Sequence, residues 1–156
     1  MTPTKPGVKS RAGALLGRLI PGGAGAKHLR LGRRGERLAA ARLRRSGYRI
    51  LARNLDTPGG EADIVCLHRA SGAAVLVEVK TRVRAEGDRS PATTAAIHAD
   101  KRRRLARTAR SLAAHPLLAG RAVRIDVITV EFRDARDRRP EIRHYVNAVT
   151  GDGRLR

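Results

Sequence analysis

Aromatic residues are nearly missing from this chain: of 156 residues one is Phe, two are Tyr and none is Trp. A core must therefore be assembled from Ala, Val, Leu and Ile, which a hydrophobic content of 41% allows. Cysteine is almost missing too. Cys66 stands alone, so no intrachain disulfide can form and a reducing cytoplasm is the expected compartment. No apolar run approaches the roughly 20 residues that span a bilayer. The stretch Ala12 to Ile20 follows basic residues, but Arg18 interrupts it and Pro21-Gly22-Gly23 ends it, which argues against a secretory signal.

Acids are scarce. Lys and Arg number 34 against 14 Asp and Glu, a formal charge of +20. Such a field attracts polyanions, and binding to them should weaken steeply with salt. Charge alone also admits an anionic membrane surface, or a genome that favours Arg and Ala codons. The partner expected is nucleic acid and not a membrane.

Residues 1–30 are rich in Gly, Pro, Lys and Arg and read as a disordered basic arm. Residues 31–150 read as one domain and 151–156 as a short flexible tail. A helix is expected from Arg33 to Ser46, stopped by Gly47. Glu36 shares a face with Ala39, Ala40 and Leu43. Strands follow over Tyr48–Leu55, Glu61–His68 and Ala73–Thr81, punctuated by Thr57-Pro58-Gly59-Gly60 and Ser71-Gly72. A second helix lies between Thr93 and Ala114, with Ile97, Lys101, Leu105, Ala109 and Leu112 on one stripe. Strands over Ala122–Phe132 and Glu141–Val146 complete the order αβββαββ. The short Ser71-Gly72 turn requires antiparallel neighbours, whereas a helical crossover permits parallel pairing. The expected fold class is α/β: a mixed sheet flanked by helices.

Side chains alternate along a strand. In Val75-Leu76-Val77-Glu78-Val79-Lys80 the valines face one way, and Leu76, Glu78 and Lys80 the other. The hairpin sets Asp63 opposite a residue between Glu78 and Lys80. In two of the possible registers it joins them on one surface, while a one-residue slip would turn it away. Two carboxylates and a lysine at one point suit a hard divalent cation that activates water beside a phosphate. Glu36 could support that site from the first helix. Taken alone, Glu78 and Lys80 form only an E-x-K pair, and exposed pairs of this kind contribute about 0–1 kcal/mol.

Other polar residues carry competing readings. Asp126 could serve the site or neutralise Arg124; the structural role is favoured. Glu61 reads as an ion-pair partner. Lys101 breaks an apolar stripe and either reaches into a cleft or snorkels out. Arg102, Arg103, Arg104 and Arg107 form a basic face on the second helix. His98, His115 and His144 have no zinc-like spacing with Cys66. No nucleotide-binding glycine loop is present, so an ATPase is not expected.

Taken together, G-E-R-L-A-A at Gly35 to Ala40, R-N at Arg53-Asn54, G-E-A-D-I at Gly60 to Ile64, V-E-V-K-T-R at Val77 to Arg82, Lys101, R-I-D-V at Arg124 to Val127 and N-A-V at Asn147 to Val149 resemble the YraN-like family. That family is a group of small bacterial proteins in the PD-(D/E)XK nuclease superfamily, which includes restriction endonucleases and Holliday junction resolvases. The resemblance runs from about Gly32 to Val149. It departs from the superfamily pattern at Ala62, which stands before Asp63 where the name has a proline; the family tolerates this. It implies a restriction-endonuclease-like fold and a Mg²⁺- or Mn²⁺-dependent endonuclease acting on DNA, with branched or damaged DNA as candidate substrates. It makes Asp63, Glu78 and the backbone carbonyl of Val79 metal ligands, with Lys80 and Glu36 catalytic. Lys101, Arg82, Arg102 and Arg103 are candidates for nucleic-acid contact. Resolvase-like relatives act as dimers, so a homodimer is a candidate assembly. The alternative is a non-catalytic nucleic-acid-binding or adaptor protein on the same scaffold.

Overall fold

A computed structural model describes residues 24–85, 87, 88, 94, 97–134 and 136–155. Five strands form one sheet in the order β1-β2-β3-β4-β5, with a helix on each face. The elements are α1 (Ala24–Arg45), β1 (Tyr48–Thr57), β2 (Gly60–His68), β3 (Ala74–Val83), α2 (Ala99–Ala113), β4 (Val123–Phe132) and β5 (Glu141–Val149), with a short 3-10 turn at Pro116–Leu118. The α/β class and the order αβββαββ are those expected.

Element ends differ in instructive ways. Helix α1 begins at Ala24, nine residues before the expected start, inside the stretch read as a disordered arm. His28, Leu29 and Arg30 are exposed there. Residues 1–23 lie outside the described residues. Strand β5 runs on to Val149, past Asn147, whose φ of 53° lies in the left-handed region that Asn tolerates. The segment read as a flexible tail folds back: Thr150 N donates to Arg154 O, and Leu155 bridges Val149.

Pairing is antiparallel except for β3 and β4, which run parallel across the α2 crossover. Strand β3 is covered on both sides, which is why it reads as an almost unbroken apolar run. On one side Ala39, Ala40 and Leu43 of α1 pack on Ile64, Cys66, Val75, Val77, Ile128 and Phe132. On the other, Leu105, Ala109 and Leu112 of α2 pack on Ala62, Val65, Leu76, Ile125 and Val127. The face of β3 that carries Glu78 and Lys80 is therefore not simply open to solvent. Leu76 is fully buried there, and the charged residues emerge only where α2 begins.

The turn between β1 and β2 presses on α2. A Cβ on Gly59 would lie 2.5 Å from the Arg107 carbonyl and 2.6 Å from Thr108 N. Backbone cannot yield as a side-chain tip does. Gly59→Ala is expected to cost about 1–3 kcal/mol through overpacking, read as an earlier urea midpoint with an unchanged slope.

Candidate active site at the fork between β2 and β3

The ladder between β2 and β3 ends at Ile64↔Val77. Beyond that pair, β2 continues against β1 alone and β3 against β4 alone. The two strands thus part like a fork. One further pair in that register would set Asp63 opposite Glu78. Asp63 Oδ2 accepts a 2.8 Å hydrogen bond from Val79 N–H, so a carboxylate takes the place of the next ladder bond. On the other side, Asn54 lies between the Arg53↔Ile64 and Leu55↔Ala62 pairs, across from Asp63, with φ 49°. This kink in β1 marks the fork from the far side. Nothing in the R-N dipeptide alone would have revealed it.

Glu78 is 8% exposed. Its Oε2 atom is buried and has no aligned hydrogen bond, although Lys101 Nζ of α2 lies 2.9 Å away as an ion-pair partner. Burial, then the charge of Asp63, pushes the Glu78 carboxyl up to about 7, against the opposing pull of Lys101 and Lys80. Lys80 is exposed, one residue beyond Val79.

The raised value has a consequence for the metal-free chain. Below the ordinary value of 4.5 both folded and unfolded chains keep the proton. Between 4.5 and about 7 the unfolded chain releases it and the folded chain retains it, so stability falls as pH rises. Above about 7 the loss is complete. Across that window the loss amounts to roughly 3 kcal/mol. Glu78→Gln should lack it, so the variant should gain on the wild type between pH 4.5 and 8 in urea unfolding with EDTA present.

The remaining expected site residues are distributed as follows. Glu36 lies on α1 and pairs with Arg53 at 3.5 Å. Its Oε2 is nevertheless the other buried carboxylate oxygen without a hydrogen bond. Gly35 brings α1 against β3, since a Cβ there would overlap Thr81 Oγ1, next to Lys80. Lys101 reaches into the cleft instead of snorkelling out.

Two arginines expected at nucleic acid, Arg82 and Arg102, bond within the protein. Arg82 pairs with Glu131 and with Asp88 at 3.3 Å. Arg84 also grips Glu131. Arg102 donates to Gly153 O at 3.1 Å and Ile97 O at 2.6 Å, clamping the C-terminal turn to α2. Arg103 pairs with Asp100 while remaining largely exposed. Arg104 and Arg107 stay exposed on α2. The reason is chemical: a forked guanidinium satisfies carbonyls and carboxylates as readily as phosphates.

Asp126 takes the structural role favoured for it. It is fully buried and accepts from Arg124 at 3.0 and 3.1 Å, His144 Nε2 at 2.8 Å and Asn147 N at 2.8 Å. It sits on the α1 face with Tyr48, away from the fork. Glu61 is exposed across from Asp56 in the β1–β2 hairpin. His115 caps the 3-10 turn through Leu117 N.

Among the described residues no three His, Cys, Asp or Glu side chains gather into a closed cage. The donors at the fork are two carboxylates, one with an oxygen that lacks a directed partner. That is a poor zinc site but fits a hard cation that keeps several waters. No helix among the described residues is long and apolar enough to cross a membrane.

Comparison with known proteins matches residues 35–130 to a family described as uncharacterised protein family UPF0102. A relative from Anaeromyxobacter dehalogenans is 38% identical over 133 residues, covering 85% of this chain and 93% of the relative. One from Syntrophotalea carbinolica is 39% identical over 81% of this chain and 97% of its own length. One from Mycobacterium avium is 42% identical over 74% and 87%. All three carry only the name UPF0102 protein.

Proposed function

We propose that this chain, which belongs to the uncharacterised protein family UPF0102, is a metal-dependent endonuclease of the PD-(D/E)XK type that hydrolyses phosphodiester bonds in DNA. One observation carries the reading. Where β2 and β3 part, Asp63 is bonded to the Val79 N–H, and its charge and that of Lys80 both act on the buried carboxylate of Glu78 next to Val79. The charge of +20 supports a polyanionic substrate.

Asp63 and Glu78 would hold the cation, Mg²⁺ or Mn²⁺, with the Val79 carbonyl as a third donor. When bound, the cation lowers the pKa of a bound water and neutralises charge on the phosphate. Asp63 is already fixed by Val79 N–H, which leaves its second oxygen for that task. Lys80 presents three donors on a flexible stem, so it can orient the attacking water and offset charge developing on phosphate oxygens. Glu36 acts through Arg53, as a positioning residue on the β1 side of the fork. Arg104 and Arg107 offer exposed cations along α2 for the substrate backbone.

The test is cleavage of linear, nicked and four-way DNA in Mg²⁺ and in EDTA, with Asp63→Ala beside the wild type. Cleavage that needs Mg²⁺ and vanishes in Asp63→Ala is expected. DNA binding that persists in EDTA, with no cut on any substrate, would instead make the chain a binding module on a nuclease-like scaffold. The exposed arginines of α2 are what such a module would use.

A further inference from the structure

Lys101 is the third residue of α2, on the stripe that continues through Leu105, Ala109 and Leu112 into the core. Its stem therefore runs toward the sheet. Its ammonium stops 2.9 Å from Glu78 Oε2, with the side chain about a third exposed (34%). Asp63 and Lys80 are the other charged groups acting on that carboxylate.

Stability gives little reason for this arrangement. Replacing a largely buried ion pair by apolar residues is often neutral or stabilising, and α2 is already anchored by its leucines. The pair makes better sense at an oxygen that must also receive a second cation. A lysine there neutralises the carboxylate while the site is empty. A metal arriving at the same oxygen meets repulsion at a few ångströms in a partly desolvated setting, where charges interact strongly. A phosphate brings negative charge that offsets both cations. The lysine stem, with several rotatable bonds, lets the ammonium swing from carboxylate to phosphate without moving the helix.

We infer that Lys101 is a resident counter-ion at the fork, which keeps divalent-cation binding weak until an incoming nucleic-acid backbone draws it off Glu78. This rests on the reading of Asp63 and Glu78 as metal ligands. Metal loading then follows nucleic-acid binding and is coupled to it.

The full chain without nucleic acid is titrated with MnCl₂ at pH 8 by calorimetry. Lys101→Met, which keeps the stem but not the charge, should bind Mn²⁺ about tenfold more tightly than the wild type. Lys101→Gln should do the same, and Lys101→Arg should stay near the wild type. Damage to the fold would weaken binding, so a gain in affinity has the opposite sign from misfolding. Repeating the titration with a cleavage-resistant phosphorothioate duplex should tighten Mn²⁺ binding in the wild type by about the same factor, and in Lys101→Met by much less. Equal or weaker Mn²⁺ binding by both uncharged variants, with Asp63→Asn silent, overturns the role of Lys101 alone. Absence of Mn²⁺ binding in every protein, with and without the duplex, overturns the metal site and this inference together.

Discussion

Lys80→Ala is expected to slow Mg²⁺-dependent DNA cleavage by about a hundred- to a thousandfold, the cost of removing one preorganised donor from a developing oxyanion. The fold should hardly register the change. Lys80 is exposed, and substitutions at such positions usually fall within about 0.5 kcal/mol. Mn²⁺ affinity should not fall either, because an ammonium is not a ligand. Asp63→Ala should differ on that point. It removes a carboxylate donor and the acceptor of the Val79 N–H, so metal affinity and cleavage should disappear together. Three measurements separate the two roles: single-turnover cleavage at saturating Mg²⁺, Mn²⁺ titration and thermal melts. A Lys80→Ala rate within threefold of the wild type would remove Lys80 from the chemistry.

The largest expected effect on stability lies away from the fork. Asp126→Ala should lower the unfolding free energy by about 3–5 kcal/mol, the usual cost of breaking a buried pair from one side. The melting temperature should fall by on the order of 10 °C. Four hydrogen bonds converge on this carboxylate, from Arg124, His144 and the Asn147 backbone. Removing it strands a guanidinium that is 19% exposed and frees the turn of β5 at Asn147. Burial alone would raise the Asp126 carboxyl, but hydrogen bonds from His144, Arg124 and Asn147 N outweigh it and hold the group below its ordinary value of 3.8. A depressed acid contributes stability above its unfolded value and loses it as pH falls toward its folded one. The deficit of Asp126→Ala should therefore be full at pH 6 and shrink as pH drops below about 4. A deficit that does not shrink on acidification would mean that volume, not charge, accounts for the loss.

Much of the architecture was legible in the order of residues. Alternation on β3, the Ser71-Gly72 turn and the length of the α2 crossover were enough to expect a mixed sheet, in which the crossover permits a parallel pair. They were also enough to bring Asp63 near Glu78. Those are local properties, since a strand's period and a turn's length act over a few residues. The ends of α1 and β5 were not legible, because exposed helical turns carry no burial pattern and Asn147 looks like a strand breaker until Asp126 holds its N–H.

Composition and spacing by themselves determined the α/β class, the strongly basic charge and the company that Glu78 and Lys80 keep on one strand. Tertiary structure alone decided which registers hold, and so that Asp63 bonds the Val79 N–H where the β2–β3 ladder ends. It also decided how the cations are used. Lys101 turns inward to Glu78, Arg82 goes to Glu131, Arg102 to the C-terminal turn, and Glu36 to Arg53 on the opposite face. A charged side chain reaches several ångströms in any direction its rotamers allow. Its partner is therefore chosen by which elements meet, and no spacing along the chain records that.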